Sequence, residues 1–160
     1  MKRNGFTMIE LIFVIVILGI LASVAIPKLA ATRDDAKVSK ALNEISALKN
    51  DMSAYYTSRG TYNAANIVDE TNVPLYTAKS CASYSKATMI ASGSTYYYCV
   101  PKTSSGLEPV LTINPNDTNG TLTFGVGSGN GNIATAIKAN SNFIALTANA
   151  IQNGGSRVSY

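Results

Sequence analysis

The chain has no histidine, no tryptophan and only two cysteines, and charged residues fill just 14% of its 160 positions. Each scarcity closes off a class of chemistry. Without histidine there is no Ser-His-Asp or Cys-His nucleophile, and most transition-metal sites lose their commonest ligand. Cys81 and Cys99 by themselves make a poor zinc site. Four acidic residues follow Gly60 (Asp69, Glu70, Glu108 and Asp117), and they are scattered, which argues against a paired-carboxylate hydrolase. Five basic residues accompany them, so this part of the chain is nearly neutral and lacks the broad basic face of a nucleic-acid binder. The glycine-rich run at 127–132, GSGNGN, is followed by no Lys-Ser/Thr pair and fits no dinucleotide fingerprint. The turn at Asp117 offers one carboxylate where calcium loops use several. We expect no catalytic residues, no cofactor and no metal.

What the chain does have is one long apolar run. From Phe6 to Ile26 a single residue, Glu10, is charged. At ~1.5 Å per residue these 21 positions form a helix of about 31 Å, matching a bilayer core of roughly 30 Å. Lys2 and Arg3 precede the run, and the positive-inside rule keeps them cytoplasmic with the C-terminal mass across the membrane. An acidic residue at the centre of such a helix costs about 2.5 to 3.5 kcal/mol, and less near its end. Glu10 therefore calls for a role beyond anchoring, the alternative being an acid that is protonated or snorkels to the interface. The small residue Gly5 lies before the run, whereas a secretory signal places its small-residue cleavage site after it.

Gly5, Phe6, Thr7, Glu10, Leu11, Gly19 and Pro27 together resemble the N-terminus of type IV pilins and of the pseudopilins of type II secretion. The resemblance is dense over roughly residues 1–30. It implies that a membrane peptidase cuts after Gly5 and that the new terminal Phe6 is methylated. It also implies a structural subunit of a type IV pilus-like filament serving adhesion, motility or DNA uptake. Its partners would be copies of itself and other pilins, the prepilin peptidase, an inner-membrane assembly platform and membrane lipid. Before assembly the subunit would be a single-pass protein of the bacterial inner membrane with a periplasmic head; afterwards it would be part of a surface or periplasmic filament. A pseudopilin of a secretion or competence system is the alternative within the family. A single-pass anchored binding protein is the alternative outside it, and that protein has no need of Gly5 or Glu10. Physically, the Phe6 α-amine of one helix would meet Glu10 of a staggered neighbour, offsetting two charges that lipid penalises separately. The major pseudopilin of secretion systems carries a calcium site late in its head; here no acidic residue follows Asp117.

The expected fold is α+β: a long N-terminal helix with a transmembrane half and an amphipathic half, packed on a C-terminal antiparallel sheet. The divisions are a leader at 1–5, an assembly helix at 6–27, an amphipathic helix at 28–59 and a β-rich head at 60–160. Pro27, with Gly19 and Ser23, marks a bend or soft segment within one helix, or else the end of a first helix. Val38, Leu42, Ile45, Leu48, Met52 and Tyr55 form the helical stripe beyond it, and Arg59-Gly60 reads as its stop. Thr61–Ser80 reads as a loop with a short helix near Ala64–Val68, and Ala87–Ala91 as a weak strand. Thr95–Val100 is the clearest strand, with Tyr96, Tyr98 and Val100 on one face. Pro109–Ile113 and Thr121–Val126 read as a hairpin around the turn residues 114–120. Ile133–Lys138 is ambiguous between helix and strand, Asn142–Thr147 reads as a strand, and Arg157–Tyr160 as an edge.

Cys81 and Cys99 suit an oxidising compartment and read as a disulfide, with two buried thiols as the alternative. Asn119, in Asp117-Thr118-Asn119-Gly120-Thr121, fits the N-x-Thr glycosylation pattern and resembles its stricter bacterial form, which wants an acid two places earlier. Asn116 meets only the looser form. The competing explanation is that these residues serve the turn.

Overall fold

In the computed structural model, residues 5–63, 70–82, 93–102 and 105–154 are described. The short helix expected near Ala64–Val68, the strand at Ala87–Ala91 and the edge at Arg157–Tyr160 fall outside them. The chain divides into two compact units, Met1–Ala36 and Lys37–Tyr160. One helix, α1 (Met8–Arg59), contributes to both and continues through Pro27. A first helix ending at Pro27 is thereby excluded. Gly60 closes α1 in the left-handed region at φ 70, its N–H donating to the Tyr56 carbonyl at 2.7 Å. A residue with a Cβ is disfavoured there.

In the second unit, β1 (Tyr96–Pro101), β2 (Leu107–Asn116), β3 (Thr121–Val126) and β4 (Ile151–Gln152) form one antiparallel sheet in the order β1-β2-β3-β4. Between β3 and β4 lie α2 (Asn132–Lys138) and α3 (Ser141–Ala148). The fold is α+β, with the C-terminal part of α1 packed on the sheet. Ala41, Ile45, Leu48 and Met52 form a single apolar cluster with Tyr96, Tyr98 and Val100 of β1, Leu111 and Ile113 of β2, and Leu122 and Phe124 of β3. Burial at i, i+4, i+7 and i+11 follows from 3.6 residues per turn. Val38, Leu42 and Tyr55 border the cluster, half-buried.

β2 is longer than expected, and Asn114, Pro115 and Asn116 belong to it rather than to the turn. Pro115 is tolerated because the last β1–β2 pair is Tyr96↔Ile113. The Pro115 carbonyl accepts from Gly93 at 2.7 Å on the β1 side, so the missing N–H also faces that side, where β1 has ended. The reversal itself is Asp117–Gly120. Gly120, at φ 60, is pressed between Gly154 and Tyr56: an added Cβ would lie 2.6 Å from the Gly154 Cα and the Tyr56 Oη. A bulge between Tyr98 and Cys99 interrupts the β1–β2 register, and beyond it Cys99 faces Pro109.

Asn142–Thr147 is helix α3, not a strand. Asn140 caps it, its side chain accepting from the Asn142 N–H at 3.0 Å. Phe143 is buried and Leu146, three residues on, packs on the same core, while Ile144 is 53% exposed. Strand alternation cannot put Phe143 and Leu146 on one face; a helix does. The ambiguous Ile133–Lys138 is α2, which buries Ile133, Ala134 and Ile137. The sheet edge is closed over Thr121–Leu122 by β4.

Candidate functional site

The N-terminal unit presents an apolar surface with one acid near its start. Every large apolar side chain from Phe6 to Leu29 is exposed, between 43% at Ile17 and 87% at Phe6. In the second unit only Val126 and Ile144 stand out this way among the described residues. Soluble monomers seldom leave so large an apolar surface open. An 18-residue window of α1 has a mean hydropathy of 2.9, so by length and composition this helix can cross a membrane.

The start of α1 is a reciprocal cap. The Thr7 N–H and Thr7 hydroxyl both donate to Glu10 Oε2 at 2.7 Å, and the Glu10 N–H donates to Thr7 Oγ1 at 3.4 Å. This is the Thr-x-x-Glu capping box, in which the first and fourth residues satisfy each other's free backbone donors. Both Thr7 donors use Oε2, which leaves Oε1 open. The pattern is visible in the sequence, but the reading of Glu10 as an intermolecular partner passed over its local role. Gly5 precedes the helix and is exposed, with nothing within 4 Å of where a Cβ would stand.

Gly19 likewise has open space around it, so no contact within the subunit requires a glycine there. Pro27 withdraws the N–H that would bond the Ser23 carbonyl, and the Ser23 hydroxyl donates to the Ile20 carbonyl at 2.7 Å one turn earlier.

Cys81 and Cys99 are joined by a disulfide, with their Cα atoms 6.2 Å apart and both residues buried. The bond ties β1 to a loop residue held at a positive φ of 58. Asn119 is exposed at the β2–β3 turn, and among the described residues its side chain has no hydrogen-bond partner. The Asn116 side chain, by contrast, accepts from the Thr118 N–H at 2.9 Å and the Asn119 N–H at 3.4 Å. The Asp117 carboxylate accepts from the Thr61 hydroxyl, the Tyr62 N–H and the Asn63 amide, so it fastens the end of α1 to the turn.

Two polar arrangements escaped the sequence reading because their partners are far apart in the chain. Glu70 is buried, among the described residues neither of its carboxylate oxygens is hydrogen-bonded, and burial, with the Asp117 charge second, pushes its carboxyl up to about 8. Beside it, Tyr62 is pushed up to about 12, chiefly by burial. The second arrangement clasps the loop at 127–131. Buried Glu108 accepts from the Asn130 and Gly131 N–H groups, and Lys138 donates to the Gly127 and Gly129 carbonyls. Charges of both signs are thus spent on the loop's backbone. Among the described residues no group of three or more His, Cys, Asp or Glu side chains is placed to hold a metal.

Residues 1–26 match the family model described as the prokaryotic N-terminal methylation motif. The chain is 41% identical over 61 residues to the type II secretion system core protein G of Aeromonas hydrophila, covering 38% of this chain and 43% of that protein. It is 38% identical over 65 residues to the protein of the same name from Escherichia coli K12, covering 41% and 45%. The fimbrial protein EcpC of Eikenella corrodens is 39% identical over 64 residues, covering 40% and 42%. These matches span less than half the length of the curated relatives, and none of the three is named for an enzyme. No solved structure matches the chain. In its methylation motif and its exposed apolar helix, the N-terminal part of the chain is similar to these secretion-system and fimbrial proteins.

Proposed function

We propose that the protein is a structural subunit of a type IV pilin-like filament, held in the inner membrane by α1 until it is assembled. The observation that carries this is the continuous exposed apolar surface from Phe6 to Leu29, with Glu10 near its start. Lipid covers that surface first and neighbouring helices cover it afterwards. In this proposal the leader 1–5 is removed after Gly5, leaving Phe6 with a cationic amine. Residues 6–27 form the assembly helix, 28–59 the amphipathic helix and 60–160 the head, which lies across the membrane from Lys2 and Arg3.

The geometry at Glu10 gives the pairing a physical form. Thr7 satisfies Oε2 within the subunit, lowering the cost of keeping the acid in an apolar medium. Oε1 is left for the Phe6 amine of a neighbour. A charge pair of that kind is far stronger in a low dielectric than in water. Gly19 and Pro27 supply a place where the helix hydrogen-bond ladder is weakest, so the segment between them loosens when helices are packed side by side.

The names of the secretion-system relatives favour a pseudopilus, the short filament of a secretion machine; the fimbrial relative supports a surface pilus. Deleting the gene separates them: retention of exoproteins in the periplasm supports the first, loss of surface filaments with secretion intact the second. For the shared proposal the test is Glu10→Ala. The variant is expected to insert into the membrane as well as the native chain does, while filament yield drops sharply. Assembly at the native level overturns the role given to Glu10.

A further inference from the structure

Three Asn-Gly steps lie wholly within the described residues: Asn119-Gly120, Asn130-Gly131 and Asn153-Gly154. Asn-Gly is chemically the least protected asparagine step, because glycine offers no side chain to shield its backbone nitrogen. That nitrogen, on losing its proton, attacks the asparagine side-chain carbonyl carbon. Ammonia leaves, a five-membered cyclic imide forms, and water opens it to aspartate or isoaspartate. The reaction requires a free side-chain amide and a backbone nitrogen not held by a good acceptor.

The fold treats the three steps differently. At Asn130-Gly131 the Gly131 N–H is shared between both oxygens of buried Glu108, at 3.1 and 3.0 Å, and leads into α2. A charged acceptor holds that proton in place and repels the anion its loss would create. At Asn153-Gly154 the Asn153 amide donates to the Tyr62 hydroxyl at 2.7 Å, and the Gly154 N–H donates to the Gly120 carbonyl at 3.0 Å. Both reacting groups are occupied. At Asn119-Gly120 the side chain is exposed with no partner among the described residues, and the Gly120 N–H makes only a long bond of 3.3 Å to the Asp117 carbonyl.

We infer that Asn119 is the spontaneous modification site of the folded head, converting through the cyclic imide to aspartate and isoaspartate while Asn130 and Asn153 are held back. The consequence is local and structural. The Asn119 carbonyl accepts from the Gln152 side chain at 2.6 Å, and the Gly120 carbonyl accepts from the Asn153 and Gly154 N–H groups at 2.9 and 3.0 Å. Isoaspartate reroutes the backbone through the former Asn119 side chain, adding a methylene ahead of Gly120 and turning the carbonyl that accepts from Gln152 into a pendant carboxylate. The registration of β4 and the residues after it is therefore loosened, and a negative charge is added close to Asp117.

The test is to age the purified full-length protein in detergent at mildly alkaline pH and to quantify aspartate plus isoaspartate at each of the three asparagines by peptide mass spectrometry. The folded chain is expected to convert Asn119 several-fold ahead of Asn130 and Asn153. In parallel, reduced and denatured chain is expected to lose that spread, since the protection comes from the fold. Asn130 or Asn153 keeping pace with Asn119 in the folded chain overturns the inference, as does an intact Asn119 when the denatured sample has converted. Asn119→Gln is expected to abolish the leading signal without changing the other two.

Discussion

Glu70 shows most plainly what a single residue can hide. Its carboxyl is buried, without a hydrogen-bond partner among the described residues, and pushed up to about 8, against 4.5 for an ordinary glutamate. The folded state therefore keeps a proton that the unfolded state gives up. That contribution is fully present below the unfolded value and is lost as pH rises through the folded one. Stability is thus expected to fall between about pH 5 and about pH 8, by an amount on the order of a few kcal/mol. Denaturant titrations across that range measure it, and Glu70→Gln, which needs no proton, is expected to flatten the slope. A native profile already flat over the window contradicts the assignment. Glu10 is the opposite kind of residue, legible before any fold is known because its oddity is local: one acid in an apolar run, with Thr7 three places earlier. Glu70 and Glu108 carry no such mark, since their surroundings are assembled from segments tens of residues away.

The elements divide along the same line. The stripe of α1, the strand β1 and the β2–β3 hairpin were readable because periodicity, aromatic and β-branched content, and turn residues agreed with one another. Helix α3 was not. Its apolar run, Phe143 to Leu146, is too short for periodicity to arbitrate, and Asn140 looks as much like a loop residue as a cap. Asn140→Ala is accordingly expected to cost about 1 kcal/mol, seen as a lower thermal midpoint with the fold retained. Prolines at positions 109 and 115 also concealed the true length of β2, since only the three-dimensional register shows that Pro115 lies past the end of β1. The disulfide acts at this scale too, holding β1 to a loop across a sequence separation of 18. For a loop of that size a chain-entropy model gives about 3 kcal/mol. The native protein is expected to show no titratable thiols, and reduction to lower its melting temperature; an unchanged midpoint after complete reduction contradicts a stabilising role.

The whole molecule is two units built for different media. The second holds every residue of the buried core and exposes few large apolar side chains among those described. A chain trimmed to Lys37–Tyr160 is therefore expected to be a detergent-free monomer with a cooperative melt, while the full chain requires detergent. Aggregation of the trimmed chain, measured by light scattering, counts against the division. The first unit has the reverse character, and that has a consequence for the life of a subunit. The surface from Phe6 to Leu29 is exposed. In water, burial of apolar area is worth roughly 25 cal/mol per Å², and a surface of this extent makes the free aqueous subunit a state of negligible population. If the chain is the filament subunit proposed above, growth would then draw on a two-dimensional reservoir, and any subunit shed from a filament would return to it. Supply would be counted per unit area of bilayer, and the rate of growth would follow lateral diffusion rather than concentration in solution.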